Sequence, residues 1–279
     1  MPTPVIIALA VGIPVLVLLA LWLFAIAPRA QKKKVQPFLR PYAHRGLFGE
    51  GIPENSLAAF DRAASMGFAI ELDVQLSADG VVMVFHDYTL KRMCGTPGKL
   101  CDRTADELTK TPLIGGEGQT VPTLAQVLET VAGRTPLLIE LKGESGNTDL
   151  VPALFKTLEG YTGEYCMESF NPLLLRAVKK YDPKIVRGLL STNLVKSKKP
   201  GSKLTNFLLT HLLLCFMCRP AFHAFDIKYP NILARRLGTS LLGAAAMVFT
   251  VKDEAQYNAL LAKGIYPIFD SFVPGEKKA

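Results

Sequence analysis

The strongest constraint on the fold is a regular alternation of short apolar runs with amphipathic segments, which continues from residue 41 to residue 269. Runs typical of strands cover residues 41–44, 69–75, 82–86, 137–142, 165–170, 186–190, 224–228, 246–251 and 265–269. Helical periodicity lies between them, at residues 56–66, 123–132, 149–159, 172–181 and 253–262, with Asn55-Ser56 and Thr123 suited to N-caps. This order predicts a parallel sheet covered by helices.

One of the nine strand-like runs has a different role. Asp79-Gly80 is a hairpin signal, so we expect residues 82–86 to return antiparallel to residues 69–75. Eight parallel strands remain, and a chain of 279 residues lies within the usual size range of closed barrels with this strand number. The sequence therefore predicts an α/β fold, a closed (β/α)8 barrel.

Polar side chains follow several of the predicted strands at the point where each strand ends. They are His44-Arg45, Glu71, Asp73, Glu140, Lys142 and Glu168. Because active sites of such barrels lie at the carboxyl ends of the strands, this distribution predicts a functional site at that end.

The segment ELDVQLSADGVVMVFHD, residues 71–87, carries two carboxylates in a strand expected to be buried. Glu71 and Asp73 share one face, about 6.7 Å apart along the strand. With a two-residue turn, Ala78 would pair with Val81 and Asp73 would lie opposite His86. Two carboxylates alone repel each other, whereas a hard divalent cation compensates both. An exposed polar hairpin is the alternative, and the apolar residues before Glu71 favour the metal site.

Further charged residues follow neighbouring strands. Glu140, in LLIELK, would complete a three-carboxylate site, and Lys142 would form a salt bridge or hold an anionic oxygen. The Arg45 guanidinium is suited to phosphate. His44 and His86 would act as acid and base in phosphoester hydrolysis, whereas His211 and His223 lie in apolar surroundings and are expected to pack.

Seven motifs occur here in the order in which one enzyme family has them: HRG (44–46), PENS (53–56), ELDVQLSADG (71–80), VFHD (84–87), PTL (122–124), IELK (139–142) and SFNP (169–172). By these residues the sequence resembles the glycerophosphodiester phosphodiesterase family. The resemblance implies a TIM barrel, a Ca²⁺ or Mg²⁺ ion, and release of sn-glycerol 3-phosphate and an alcohol from deacylated phospholipids.

By position, the resemblance assigns a role to each site residue. The metal ligands would be Glu71, Asp73 and Glu140; the catalytic pair His44 and His86; the phosphate-binding residues Arg45 and Lys142; and Glu54 would lie near the metal. Phe170, Phe249 and Glu168 would line the substrate pocket, where the sequence departs from the family pattern. Phe249 replaces the usual tryptophan and Glu168 a residue that is more often small, so a larger or more lipid-like substrate is the expectation.

The N-terminus predicts a membrane anchor. Residues 5–27 carry no charge and are long enough to cross a bilayer. A cleaved signal peptide is the alternative, but positive charge follows this run and does not precede it. We expect residues 1–28 to form a single-pass transmembrane anchor in the cell membrane and residues 29–40 a basic linker. The barrel, residues 41–279, would lie on the cytoplasmic side by the positive-inside rule.

A second apolar segment lies within the barrel, as an insert at about residues 196–223. FLLTHLLLCFM, residues 207–217, follows Lys196, Lys198, Lys199 and Lys203 and is too short to span a bilayer. One interpretation is an interfacial helix over residues 205–219 that contacts anionic lipid. The other is a buried helix of the barrel.

The net charge of +8 does not indicate a nucleic-acid partner. Nine of the 32 Lys and Arg residues lie in the two basic segments, which leaves 23 against 24 Asp and Glu residues elsewhere. Two further functions stay open: a lysophospholipase D that acts on membrane lysolipids with the same site, and a membrane-tethered binding barrel without turnover. The presence of both His44 and His86 favours an enzyme.

Overall fold

Eight parallel strands close into a barrel in the computed structural model, which describes residues 3–29, 31–143, 147–197 and 201–275. The strands are β1 (Tyr42–Ala43), β2 (Ala69–Leu76), β3 (Val82–Val84), β4 (Leu137–Leu141), β5 (Tyr165–Ser169), β6 (Arg187–Ser191), β7 (Phe222–Asp226), β8 (Ala245–Val251) and β9 (Tyr266–Phe269). Their order is β1-β9-β8-β7-β6-β5-β4-β2, and β1 also pairs with β2, which closes the barrel. The predicted (β/α)8 barrel is confirmed.

Helices cover the outside of the barrel and precede it. They are α1 (Thr3–Ile26), α2 (Lys32–Val35), α3 (Leu57–Ser65), α4 (Lys91–Cys94), α5 (Ala105–Thr109), α6 (Leu124–Val131), α7 (Leu150–Thr157), α8 (Pro172–Tyr181), α9 (Lys203–Thr210), α10 (Cys215–Cys218), α11 (Leu233–Ser240) and α12 (Glu254–Leu261). Both predicted N-caps are confirmed, since the side chains of Ser56 and Thr123 accept hydrogen bonds from Ala59 N and Gln126 N.

Alternation along each strand separates two apolar layers. Leu137, Ile139 and Leu141 face the helices, whereas Leu138 and Glu140 face the barrel interior. The middle of the interior is filled by large side chains that include Tyr42, Phe222 and Met247. Polar groups are consequently concentrated at the carboxyl ends of the strands.

The predicted hairpin register is wrong by one residue. β2 and β3 pair antiparallel with Val74 opposite Val84, so Asp73 lies opposite Phe85, whose N–H donates to Asp73 O at 2.9 Å. The turn contains three residues, 78–80, because Ser77 N bonds to Val81 O and Gly80 N to Ser77 O. His86 therefore lies beyond the strand, where the Gln75 side-chain amide donates to the carbonyls of residues 85–87.

The insert also differs from its prediction. β7 begins at Phe222, so the insert ends before that residue, and His223 is a fully buried residue of the barrel. Phe222 pairs with Gly188 and covers it, and β7 begins two residues earlier than the predicted strand. The segment predicted as one helix over residues 205–219 is divided into α9 and α10, with Leu212 in the left-handed region at φ 55°. Lys198 and Lys199 lie outside the described residues.

Helix α1 combines an exposed apolar body with a buried end. Of its Leu9–Ile26 segment, with a mean hydropathy of 2.8, only 6% is buried. Ile26 at its end is fully buried and packs in a cluster that includes Leu175, Leu212, Cys215 and Ile232. The end of α1 is thus part of the packing around the barrel.

Gly188 offers a test of the interior packing. A Cβ at this position would lie 1.9 Å from the Phe222 ring, so we expect Gly188→Ala to lower the free energy of unfolding by about 1–3 kcal/mol. Denaturant unfolding in detergent measures the change. Gly49→Ala is the control, since its Cβ would meet only Arg62 Nη1 at 3.5 Å. Equal stability of the two variants would contradict this interior packing.

Candidate active site at the carboxyl end of the barrel

Three buried carboxylates meet at the mouth of the barrel. Glu71 and Asp73 come from β2 and Glu140 from β4, where Asp73 and Glu140 are neighbours in the parallel register. One oxygen from each lies within 4.8 Å of the others, and their exposed fractions are 2%, 0% and 7%. The structure thus brings together the three predicted metal ligands.

Cations and amides surround this cluster. Lys142 Nζ lies 2.7 Å from Glu140 Oε1 and 3.0 Å from Asp73 Oδ1. Asn55 Nδ2 donates to Asp73 Oδ2 at 2.9 Å, and the backbone N–H of Arg45 donates to Glu71 Oε2 at 2.9 Å. Sequence reasoning used Asn55 only as a helix-cap candidate, because its contact with Asp73 depends on the fold.

The pKa values report how strongly these carboxylates interact. Burial, together with Asp73 and Glu140, raises the pKa of Glu71 well above its usual range. Burial also raises the pKa of Glu140 to about 7, although Lys142 opposes the change. For Asp73 the nearby Lys142, His86 and Arg45 outweigh burial and lower the pKa. The cluster requires more positive charge before all three groups ionise together.

This donor set fits a hard divalent cation. All three ligands are carboxylate oxygens, which Ca²⁺ and Mg²⁺ prefer, and they converge in a buried place. Asp73 Oδ1 lies near Lys142 but receives no hydrogen bond of good geometry from the described residues. An ion at this place would satisfy that oxygen.

Each catalytic candidate histidine is paired with an aspartate. His44 Nδ1 lies 2.9 Å from Asp270 Oδ2, and His86 Nδ1 lies 2.6 Å from Asp87 Oδ1. Burial lowers the pKa of both histidines, although the aspartates oppose this change. Because Nδ1 is engaged in each ring, Nε2 is the nitrogen that remains for proton transfer. Asp270 was not predicted as a site residue, because its contact with His44 joins residues 226 positions apart and depends on the fold.

An ion-pair network connects the two sides of the mouth. Arg45 Nη1 donates to Glu54 Oε1 at 2.8 Å, and Arg92 Nη2 donates to the same oxygen at 2.7 Å. Arg92 Nε also donates to Asp87 Oδ2 at 2.6 Å. Glu54 thus joins Arg45 to Arg92, and Arg92 holds the aspartate that binds His86. Arg92 carried no sequence signal, since it lies outside the recognised motifs.

The turn after β1 requires glycine. Arg45 and Gly46 have φ values of 57° and 81°, and a Cβ on Gly46 would lie 2.8 Å from Ala59 Cβ. The close approach between this turn and α3 places the Arg45 N–H against Glu71. Gly46 therefore supports the site through the backbone.

A cavity of about 640 Å³ extends from the carboxylates to the insert. One part is polar and contains both histidines, Arg45 and Lys142. Glu168, which is 1% exposed, lies in the same cavity with Phe170 and Phe249, whose rings are 5.7 Å apart at 86°. The insert forms an apolar wall with Leu209, Leu212, Leu214 and Cys215. All the predicted pocket residues thus line one space with the polar site.

We expect Glu140→Gln to weaken the binding of Ca²⁺ and Mg²⁺ at least about 100-fold, because it removes one of three anionic ligands. Isothermal titration calorimetry of the purified protein measures the affinity without substrate. Asp226→Asn is the matched control, since this carboxylate lines the cavity outside the cluster and already accepts a hydrogen bond from Thr192. Equal affinity in the Glu140 variant and the wild type would contradict the metal site.

Sequence comparisons match this chain to one enzyme family. The model of the "Glycerophosphoryl diester phosphodiesterase family" matches residues 44–273. A glycerophosphodiester phosphodiesterase from Caldanaerobacter subterraneus subsp. tengcongensis is 39% identical over 160 residues, which cover 53% of this chain and 65% of that protein. Another from Bacillus altitudinis is 28% identical and covers 83% and 94% of the two chains.

Solved structures share the fold. A phosphodiesterase from Oleispira antarctica, in complex with the product sn-glycerol-3-phosphate, has a TM-score of 0.68 and 26% identity, covering 83% of this chain and 92% of that chain. The family match spans the barrel from His44 onward and contains all eleven predicted site residues. The chain therefore belongs to the glycerophosphoryl diester phosphodiesterase family, as its motifs predicted.

Proposed function

We propose that this protein is a metal-dependent glycerophosphodiester phosphodiesterase that releases sn-glycerol 3-phosphate and an alcohol. The observation that carries the proposal is a cluster of three buried carboxylates, two of which, Glu71 and Glu140, line one cavity with two aspartate-paired histidines. The family match and the relatives named above support the same reaction.

Glu71, Asp73 and Glu140 would hold one divalent ion, Ca²⁺ or Mg²⁺. When bound, this ion supplies positive charge that stabilises the phosphate oxygens as negative charge develops on them. Arg45 and Lys142 contribute further positive charge from the same cavity. Because both cations already contact carboxylates of the site, they are held in place before substrate arrives.

The two histidines carry the proton transfers. One takes a proton from the attacking oxygen and the other donates a proton to the leaving alkoxide. The lowered pKa of each ring keeps a neutral base available near pH 7. The Asp270 and Asp87 carboxylates, each with a pKa of about 2, stay ionised and stabilise a protonated ring. The two histidine–aspartate pairs favour an enzyme over a binding barrel without turnover, because binding alone requires no proton transfer.

Lysophospholipids are a second candidate substrate class for the same site. The favouring observation is the apolar wall of the cavity, formed by Leu194, Leu209, Leu212 and Leu214. On the outer surface of the insert, Leu204 and Phe207 are 66% and 48% exposed. An acyl chain would find apolar contacts along the wall, and the exposed side chains would meet the lipid surface.

We further propose that α1 is kept as a membrane anchor. Arg219, which follows α10, donates from Nη1 to Phe24 O at 3.0 Å and to Ala27 O at 2.8 Å, and its guanidinium lies 4.3 Å from the Phe24 ring centre. Cleavage after Ala27 would remove these partners and uncover the apolar cluster around Ile26. Arg29 and Lys32–Lys34 follow the helix and favour the cytoplasmic side for the barrel.

A substrate panel tests the catalytic proposal. We expect metal-loaded protein to hydrolyse glycerophosphocholine, glycerophosphoethanolamine or glycerophosphoglycerol, with loss of activity in chelator and recovery on adding metal. Activity confined to lysophospholipids would select the second candidate. If metal-loaded, folded protein hydrolysed none of these substrates, the catalytic proposal would be contradicted and a binding barrel without turnover would be favoured.

His44→Ala and His86→Ala should each lower kcat/KM about 10²–10⁴-fold, because each removes one proton-transfer group. In the wild type, kcat/KM should rise as the pH falls toward 6.5, because the donating histidine gains its proton, and should decline at still lower pH, where the base is protonated as well, since the pKa of both rings is lowered. His211→Ala is the control, because His211 packs against Phe207 on the insert. Unchanged turnover in His86→Ala would contradict the assignment.

The anchor has a direct test. We expect the protein isolated from membranes to retain residues 1–27 by intact-mass analysis and to stay in the membrane pellet after an alkaline wash. Arg219→Ala should lower the free energy of unfolding by about 1–3 kcal/mol, because two carbonyls lose a charged donor. A mature chain that begins at Pro28 would contradict retention.

A further inference from the structure

We propose that the cavity contains a subsite for a positively charged ammonium group in the alcohol of the substrate, formed by Glu168, Phe170 and Phe249. The inference rests on the proposed function and deepens it, since it names the chemical class of the alcohol. Choline and ethanolamine esters have this property, whereas glycerol and inositol esters do not.

Glu168 is the central observation. It faces the barrel interior beside Glu140 in the register between β4 and β5, and it is 1% exposed. Its Oε2 atom has no hydrogen-bond partner among the described residues, yet the side chain lines the substrate cavity. A buried carboxylate in this situation requires either a proton or a positively charged partner.

The other charged groups of the site do not supply a positively charged partner for Glu168, so we assign this partner to the substrate. A divalent ion together with Arg45 and Lys142 would supply four positive charges. The three carboxylates of the cluster and a monoanionic phosphodiester would supply four negative charges. Glu54, which pairs with Arg45, and Lys228, which also lines the cavity, add one charge of each sign, so these groups balance. Asp226, another acid in the cavity, already accepts hydrogen bonds from the Thr192 hydroxyl and from the backbone N–H of Lys228, both at 2.9 Å. Glu168 is therefore the acid of this cavity whose Oε2 atom lacks a partner among the described residues, and an ammonium group of the substrate would pair with it.

The aromatic rings suit the same ligand. Phe170 follows the last residue of β5 and lines the same cavity as Glu168. Phe249 on β8 contacts Phe170 edge to face at 5.7 Å. Phenylalanine ring faces attract ammonium groups, and a nearby carboxylate strengthens the attraction. Carboxylate and rings therefore form a site for a cation with apolar substituents.

The experiment compares two soluble diesters that differ in the charge of the alcohol. In metal-loaded full-length protein, we expect Glu168→Gln to lower the ratio of kcat/KM for glycerophosphocholine to kcat/KM for glycerophosphoglycerol at least about 30-fold, since one partner of a buried charge pair is lost. Phe249→Leu should lower this ratio in the same direction. Asp226→Asn is the matched control, a carboxylate in the same cavity that should leave the ratio within about twofold of the wild type.

A binding measurement separates recognition from turnover. In the His86→Ala protein loaded with Ca²⁺, Glu168→Gln should weaken glycerophosphocholine binding at least about 30-fold in calorimetry, while the affinity for Ca²⁺ stays unchanged. Parallel loss on both diesters, or a lower Ca²⁺ affinity, would overturn the proposal and make Glu168 part of the metal site. A change of the ratio in Asp226→Asn alone would also overturn it. Failure of the wild type on every diester would instead contradict the proposed function.

Discussion

Mutual repulsion of Glu71, Asp73 and Glu140 is the constraint around which the site is built. Two of these carboxylates share a face of β2, and the parallel register of β4 brings the third beside them. Buried anions this close cannot all ionise alone, so cations and amides gather around them. Lys142, Asn55 and the Arg45 backbone serve this purpose, and each is placed by a different element of the barrel mouth.

The histidines depend on this cluster and on its surroundings. His44 follows β1, and its aspartate follows β9, the neighbouring strand that closes the barrel. His86 lies beyond β3, and its aspartate is held by Arg92 from the excursion between β3 and β4. Glu54 then connects Arg92 to Arg45, so His86, one of the two proposed acid–base groups, shares an ion-pair network with the phosphate-binding candidate. Such preorganisation limits the rearrangement that the reaction requires.

The insert joins the active site to the N-terminal helix. Leu212 and Cys215 line the substrate cavity and also pack in the cluster around Ile26. The Cys215 thiol lies 3.7 Å from Ala27 O, and Arg219 binds the same carbonyl. The cavity wall and the end of α1 are therefore packed against each other.

Sequence periodicity determined the strands and the three carboxylates, because side-chain direction and strand ends are local properties of the chain. Each of the nine predicted strands overlaps an observed one, and Glu71, Asp73 and Glu140 meet as expected. The local sequence pattern did not predict the exact turn length or strand position where these depend on packing by one or two residues. The turn after β2 has three residues, and β7 begins at Phe222, which covers Gly188. Only the tertiary structure decided the contacts of Asp270 with His44, of Arg92 with Asp87 and Glu54, and of Arg219 with α1. The first and last of these pairs are about 190 residues or more apart, so they meet only when the barrel closes and its helices dock.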